Sequence, residues 1–254
     1  VHAPYIQSDR ISLYENALHL LMQKGIVYPC ACSRRDVESA QSAPHAGDDG
    51  PPYAGTCRGR YTDFETARYA RGDGQNPAWR FTTPDRNVSF FDSFCGEQSV
   101  NILCATGDFV LARHPLGAGY QLAVVVDDAA MGVTEVIRGD DLLSSTPRQL
   151  LLYEALGLQA PAFAHVPLLV GPDGRRLAKR HGDTRIGFFR ERGVRPQTLV
   201  GWLAYWSGLC SAPEPCMPAD LISSFSLARV PKGAVIVDES AQRKILGTSS
   251  HSGC

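Results

Sequence analysis

The residues of this sequence that could do chemistry fall into three groups. The first is Cys30-Ala-Cys32 followed by Tyr53-Ala-Gly-Thr-Cys57, which places three thiols within 28 residues. Thiolates so spaced, beside glycine and proline turns, can surround Zn²⁺, which needs four tetrahedral ligands. On the residues alone the fourth ligand stays open, His45 being the orthodox donor and Tyr53 the unusual one. Residues 39–52, rich in Ala, Pro, Gly and Asp, read as a loop longer than metal geometry needs. The second group is Arg175-Arg176-Leu-Ala-Lys179-Arg180-His-Gly182. It opens a stretch, 175–195, with eight Lys and Arg against two acids, in a chain of formal net charge −1. A triphosphate or an RNA backbone explains such a bias. The third is Arg138-Gly-Asp140-Asp141 together with Asp127-Asp128, each at the end of an apolar run. In open α/β sheets ligands bind beyond strand ends, and an arginine there can hold a carboxylate bidentately. The plainer reading makes the four aspartates turn residues, with Arg138 paired to one of them.

The elements that must position these groups follow from patterning. Leu122–Val126 is short, apolar and β-branched, which reads as a strand buried on both faces, with Val133–Ile137 as a second strand. Thr146 and Pro147 open a helix that runs to Leu156 and stops at Gly157. Ser8–Lys24 is an amphipathic helix with Gly25 after it. Trp79–Phe81, Val88–Asp92, Phe109–Leu111 and Phe163–Val170 read as strands. Cys95 and Cys104 lack metal-like spacing and read as buried thiols. Val194–Leu209 is apolar nearly all round and is expected to pack as a buried helix. Pro218–Phe225 reads as one more helix, and Glu239–Cys254 as a frayed, polar end.

Composition narrows the class. With 254 residues, 44% hydrophobic, the chain has material for one large domain or two smaller ones. A pI near 6.7 gives no global nucleic-acid signal, so any such partner must be held by a local patch. No apolar stretch reaches membrane-spanning length, so no membrane partner is expected. Eight cysteines at irregular spacing suggest a reducing, cytoplasmic setting with some thiols on metal. The start, Val-His-Ala-Pro-Tyr, is neither a signal nor a transit peptide, and a fragment or processed chain is expected.

Taken whole, Gly119–Gln149 resembles the second half of the catalytic domain of class I glutamyl-tRNA synthetases. The pattern is Tyr-x-Leu/Phe-Ala-x-Val-Val-Asp-Asp…Gly-Val/Ile-Thr-x-Val-Ile-Arg-Gly-x-Asp-Leu…Thr-Pro-x-Gln. The likeness extends over roughly residues 5–210 and is nearest to the glutamyl-Q tRNA(Asp) synthetase family. It implies an α/β fold, an incomplete class I Rossmann-type catalytic domain with an inserted zinc-containing α+β subdomain and a C-terminal helical segment. The implied divisions are a catalytic-domain helix (1–29), the insertion (30–108), the second catalytic half with the signature loop (109–182), a helical stem-contact segment (183–238) and the tail. The resemblance places Tyr53 in register as fourth ligand beside Cys30, Cys32 and Cys57, with one Zn²⁺ as cofactor. It aligns Tyr120 and Arg138 with glutamate-binding positions.

Residues 175–182 are similar to the second class I signature, Lys-Met/Leu-Ser-Lys-Arg-His-Gly, with Arg176 for its first Lys and Ala178 for its Ser. Lys179 keeps the catalytic position that meets the ATP phosphates, flanked by Arg176 and Arg180. The implied activity is ATP-dependent activation of glutamate, with Mg²⁺, and its transfer to the queuosine of tRNA(Asp) by a monomer. The first signature, His-x-Gly-His, occurs nowhere in the 254 residues. The resemblance places it ahead of Val1, so this chain alone is expected to be inactive. Only 72 residues follow Gly182, which resembles the compact glutamyl-Q enzymes more than synthetases with a large anticodon-binding domain. Two other readings stay open. One is a fragment of an ordinary glutamyl-tRNA synthetase that charges tRNA(Glu); the other is a zinc-containing RNA-binding module without chemistry.

Overall fold

A 3₁₀ turn, Gln7–Arg10, leads into α1 (Ile11–Gln23), and Gly25 at φ +68° ends that helix. The computed structural model describes residues 5–39, 52–114, 117–177 and 185–247. After α1 come β1 (Val27–Cys30), α2 (Arg34–Ser39) and α3 (Phe64–Arg71), then β2 (Ala78–Phe81), β3 (Asn87–Asp92) and β4 (Gly96–Asn101). A one-turn α4 (Ile102–Ala105) precedes β5 (Val110–His114) and β6 (Gly117–Ala118). Next are α5 (Tyr120–Met131), β7 (Glu135–Gly139), α6 (Thr146–Leu156), β8 (Ala162–Val166) and β9 (Leu169–Val170). The chain goes on through α7 (Ile186–Glu191), α8 (Pro196–Trp206), α9 (Pro218–Leu221), β10 (Val235–Ile236) and α10 (Glu239–Ile245).

The chain divides into two units. The first comprises residues 1–136 and 142–164, the second 137–141 and 165–254. In the first, β1-β2-β5-β6 form an antiparallel sheet. A second sheet has the order β4-β3-β8-β7, with β3 antiparallel to β4 and parallel to β8. The class is thus α/β with mixed sheets. The first unit's core joins Leu18 and Leu21 of α1, Leu111 of β5, Leu122 and Val125 of α5, and Leu151 and Leu152 of α6. Burying a leucine or valine side chain contributes about 1.5–3 kcal/mol, so these contacts decide how the surrounding segments fold.

That core corrects the strand expected at Leu122–Val126. The segment is the middle of helix α5, with Leu122, Ala123, Val125 and Val126 buried at helical spacing against α1 and α6. Five apolar residues fit a strand or a helix equally well, and tertiary packing outweighs the modest β preference of valine. Asp127 therefore lies within a helix. Its carboxylate accepts from Arg10 Nε at 2.6 Å and from Tyr14 Oη at 2.7 Å, tying α5 to α1. Burial, then the Asp127 carboxylate, pushes the Tyr14 phenol up to about 12.

Other expectations need smaller corrections. Cys95 and Cys104 are exposed, the first at the β3–β4 turn and the second on the outer side of α4. Helix α8 is one-sided: Gly201, Trp202 and Ala204 are buried, but Leu203 and Tyr205 face solvent. The segment after Glu239 is helix α10, seated in the second unit's core through Ala241 and Ile245 beside Phe189, Trp202 and Val237. Residues 248–254 lie outside the described residues. Among the described residues no helix is long and apolar enough to cross a membrane.

Candidate metal centre and anion site

Strand pairing builds the thiol cluster. Cys30 ends β1, whose register sets it opposite Ala78 at the start of β2. Cys32 follows two residues on, and the turn at 56–60 brings Cys57 back. Tyr53 is anchored by its backbone, donating its N–H to Thr106 O at 3.0 Å beside Gly107. Gly107, at φ +69°, is required there, because a Cβ would lie 2.0 Å from Tyr53 O.

The three Sγ atoms lie within 4.8 Å of one another, with Cys32 and Cys57 3.4 Å apart. The Cys30 thiol donates to Tyr53 Oη at 3.3 Å, and Cys32 Sγ is 3.6 Å from the same oxygen. A tetrahedral Zn²⁺ with bonds of about 2.3 Å to sulfur and about 2.1 Å to oxygen sets S···S near 3.8 Å and S···O near 3.6 Å. The donor set and its spacing therefore fit a zinc ion. Cys57 N–H donates to Tyr53 Oη at 2.8 Å, so the phenol oxygen already serves as an acceptor, as a ligand oxygen must.

Electrostatics grade the donors. Burial pushes the Cys32 thiol up to about 12 and raises the Tyr53 phenol as well. For Cys57 burial acts in the same direction, but hydrogen bonds from Tyr53, Cys32 and the Ala31 backbone bring the net shift below the usual thiol range. Of Cys32 and Cys57, Cys57 is thus the readier to lose its proton to an incoming cation.

Arg80 is the residue that sequence reasoning missed. It is 9% exposed, with its guanidinium 3.8 Å from the Tyr53 ring centre. Its Nε donates to Cys30 Sγ at 3.3 Å and its Nη1 to Asp108 O at 2.6 Å. Asp108, 1% exposed, in turn accepts from Tyr28 Oη at 2.5 Å, Thr83 N at 2.8 Å and the Arg58 guanidinium. The cue was an arginine between Trp79 and Phe81 in a strand buried along its whole length. Buried charges are rarely tolerated without a partner.

The second unit carries the other candidates. Arg138 is half-buried on β7, and its Nε donates to His165 Nε2 on β8 at 2.9 Å. Asp141 holds Arg176 at 3.1 Å, and the Arg176 side chain remains 75% exposed. Arg175, Arg185, Arg190, Arg192 and Arg195 are exposed too, Arg192 lying over the Phe188 ring at 3.7 Å. Lys179 and Arg180 fall outside the described residues, as does His45. Tyr120, 51% exposed, occupies the first turn of α5 and belongs to the first unit.

A profile described as tRNA synthetases class I (E and Q), catalytic domain, matches residues 1–241. The chain belongs to this family. It is 52% identical, over 92% of its length, to a glutamyl-Q tRNA(Asp) synthetase of Symbiobacterium thermophilum, covering 72% of that protein. To its counterpart in Rhodopirellula baltica it is 45% identical over 93% of its length and 76% of that protein. A glutamate–tRNA ligase of Heliobacterium modesticaldum is 38% identical over 93% of this chain, which spans 48% of that ligase. Among solved structures, a glutamate tRNA ligase from Elizabethkingia meningosepticum, in complex with its amino acid, superposes with TM-score 0.74 at 25% identity. That match covers 96% of this chain and 54% of the other. The protein is therefore a ligase of the class I aminoacyl-tRNA synthetase type.

Proposed function

We propose that this chain is the greater part of an enzyme that activates glutamate with ATP and transfers it to the queuosine base of tRNA(Asp). The observation that carries the reading is the gap between two sets of relatives. Proteins named glutamyl-Q tRNA(Asp) synthetase are 45–52% identical to it; those named glutamate–tRNA ligase are 36–40% identical, and the chain spans about half of their length.

In the proposed reaction the glutamate carboxylate attacks the α-phosphorus of ATP, and pyrophosphate leaves. A hydroxyl of the queuosine diol then takes the glutamyl group, and AMP leaves. Such chemistry asks mainly for positioning and for positive charge at the phosphates. By the family resemblance Arg138 takes the role of holding a glutamate carboxylate, and Tyr120 that of a hydroxyl donor to glutamate. Lys179, with Arg176 and Arg180 beside it, meets the triphosphate. The exposed arginines of 185–195 grip the RNA backbone, so tRNA binding falls as salt rises. Cys30, Cys32, Cys57 and Tyr53 hold one Zn²⁺, which ties α2 and the 53–57 turn to the end of β1 and has no part in the chemistry.

The test is transfer of radiolabelled glutamate, by protein translated from the complete reading frame, to purified tRNA(Asp) and tRNA(Glu). Label should enter queuosine-containing tRNA(Asp) only. Charging of tRNA(Glu), or equal labelling of queuosine-free tRNA(Asp), would return the protein to the ordinary glutamate–tRNA ligases.

A further inference from the structure

We infer that His165 is a positioning residue that decides which edge of the Arg138 guanidinium meets the amino-acid substrate. The inference rests on the reading that Arg138 holds a carboxylate of glutamate. The two residues lie on neighbouring strands, β7 and β8, joined through α6. Arg138 Nε is 2.9 Å from His165 Nε2, and His165 has no exposed surface.

The chemistry of the contact is one-directional. Arginine Nε always carries a hydrogen and never accepts, so the facing imidazole nitrogen must be bare and the ring proton must sit on Nδ1. A guanidinium can grip a carboxylate side-on, through Nε and one Nη, or end-on, through both Nη atoms. The imidazole takes the Nε–H, so a carboxylate meets Arg138 end-on. The acceptor's identity matters as much as its place. An aspartate or glutamate at 165 would also fix the guanidinium, but it would neutralise the charge and compete with the substrate carboxylate for it. A neutral imidazole orients Arg138 without neutralising its charge. Full burial keeps water from replacing that acceptor.

The experiment measures, by titration calorimetry, L-glutamate binding to protein translated from the complete reading frame, with thermal unfolding of each variant alongside. His165→Gln places an amide oxygen where Nε2 stood; His165→Asn keeps a buried amide but stops short of Arg138. Loss of one charge-assisted hydrogen bond corresponds to roughly a tenfold or greater change in affinity. His165→Asn should therefore weaken glutamate binding about tenfold or more, and His165→Gln should stay within about threefold of the parent. ATP affinity should not move in either. Should Arg138→Ala abolish glutamate binding while Asn and Gln at 165 both bind like the parent, His165 has no positioning role and the Arg138 reading stands. If Arg138→Ala binds glutamate normally, or the parent protein of the complete reading frame does not bind it, the reading of Arg138 fails and takes the inference with it. A nitrogen-detected NMR spectrum of the parent protein needs no substitution: it should place the His165 proton on Nδ1, and a proton on Nε2 would overturn the inference even if a variant failed to fold.

Discussion

The cysteine cluster of the first unit and the arginines of the second are built in opposite ways. Around Tyr53 the donors stand ready at bonding separations, backed by the fully hydrogen-bonded Asp108 and the buried Arg80. In the second unit Arg176 and the arginines of 185–195 are exposed, and Arg138 meets the buried His165 acceptor. The difference follows from range. Coordination acts over about 2 Å and fails if a ligand is displaced by a fraction of that. Attraction to a polyphosphate acts over a Debye length of about 8 Å at physiological salt and tolerates moving side chains. A metal centre must be built by the fold; an anion site can be built by composition.

Removing a donor breaks the comparison at its rigid end and should have the largest effect. The chain is expected to carry one Zn²⁺, and Cys57→Ser or Cys32→Ser should lose it, with local unfolding around Tyr28, Tyr53 and β1. Structural zinc in small peptides is worth ~10–16 kcal/mol apparent. Metal analysis of carefully prepared protein decides the matter: absent zinc, or unchanged zinc in Cys32→Ser, sinks the assignment. If Tyr53→Phe retains the ion while His45→Ala releases it, the fourth ligand is His45.

Two glycines sharpen the contrast at intermediate size. In Gly107→Ala the new Cβ would meet the backbone oxygen of Tyr53, at a φ of +69°. Left-handed backbone alone costs roughly 1–2 kcal/mol, and the Tyr53 backbone cannot retreat without carrying its phenol away from the thiols. In Gly139→Ala the new Cβ would meet Asp141 Oδ1 at 2.6 Å and Leu168 Cδ2 at 2.7 Å, both ends of side chains that can rotate away. Chemical denaturation should find Gly107→Ala clearly the more destabilised, by roughly 2 kcal/mol or more in total, and zinc content should fall in that variant alone. Equal stabilities would mean that the cluster is as adjustable as the arginine site.

The smallest expected effect concerns helix ends. Asp63 caps α3, its Oδ1 accepting from Thr66 N at 2.8 Å, whereas α7 and α8 begin at Arg185 and Arg195 with no side-chain cap. The Thr66 backbone N–H, then the Thr62 hydroxyl, hold the Asp63 carboxyl below its usual range. A carboxyl lowered on folding contributes stability that is fully present above its unfolded value, near 3.9, and is lost as pH falls through the folded value. Asparagine caps without titrating. The stability difference between the parent and Asp63→Asn, measured from pH 6 down to pH 3, should therefore change only below about pH 4. A difference that stays flat across the range would remove Asp63 as a titrating cap.

How much of this was legible in the sequence depends on how far along the chain the deciding partner lies. The Cys-x-Cys and Tyr-x-x-x-Cys pairs, the helix stop at Gly157, strands β2 and β3 and the basic run after Arg175 could all be read, because each pattern is carried by covalent neighbours. Leu122–Val126 could not: five apolar residues satisfy both periods, and the choice fell to α1 and α6, with Arg10 and Tyr14 reaching Asp127 from more than a hundred residues away. The exposure of Cys95 and Cys104 and the burial of Ile245 likewise depend on which face each segment turns to the core. Arg80 is the plainest case. Its place against Cys30 and Tyr53 comes from the pairing of β1 with β2, and His165 meets Arg138 because β8 lies beside β7. Such partners are brought together by sheet register and burial over the whole chain, and no local run of residues carries that information.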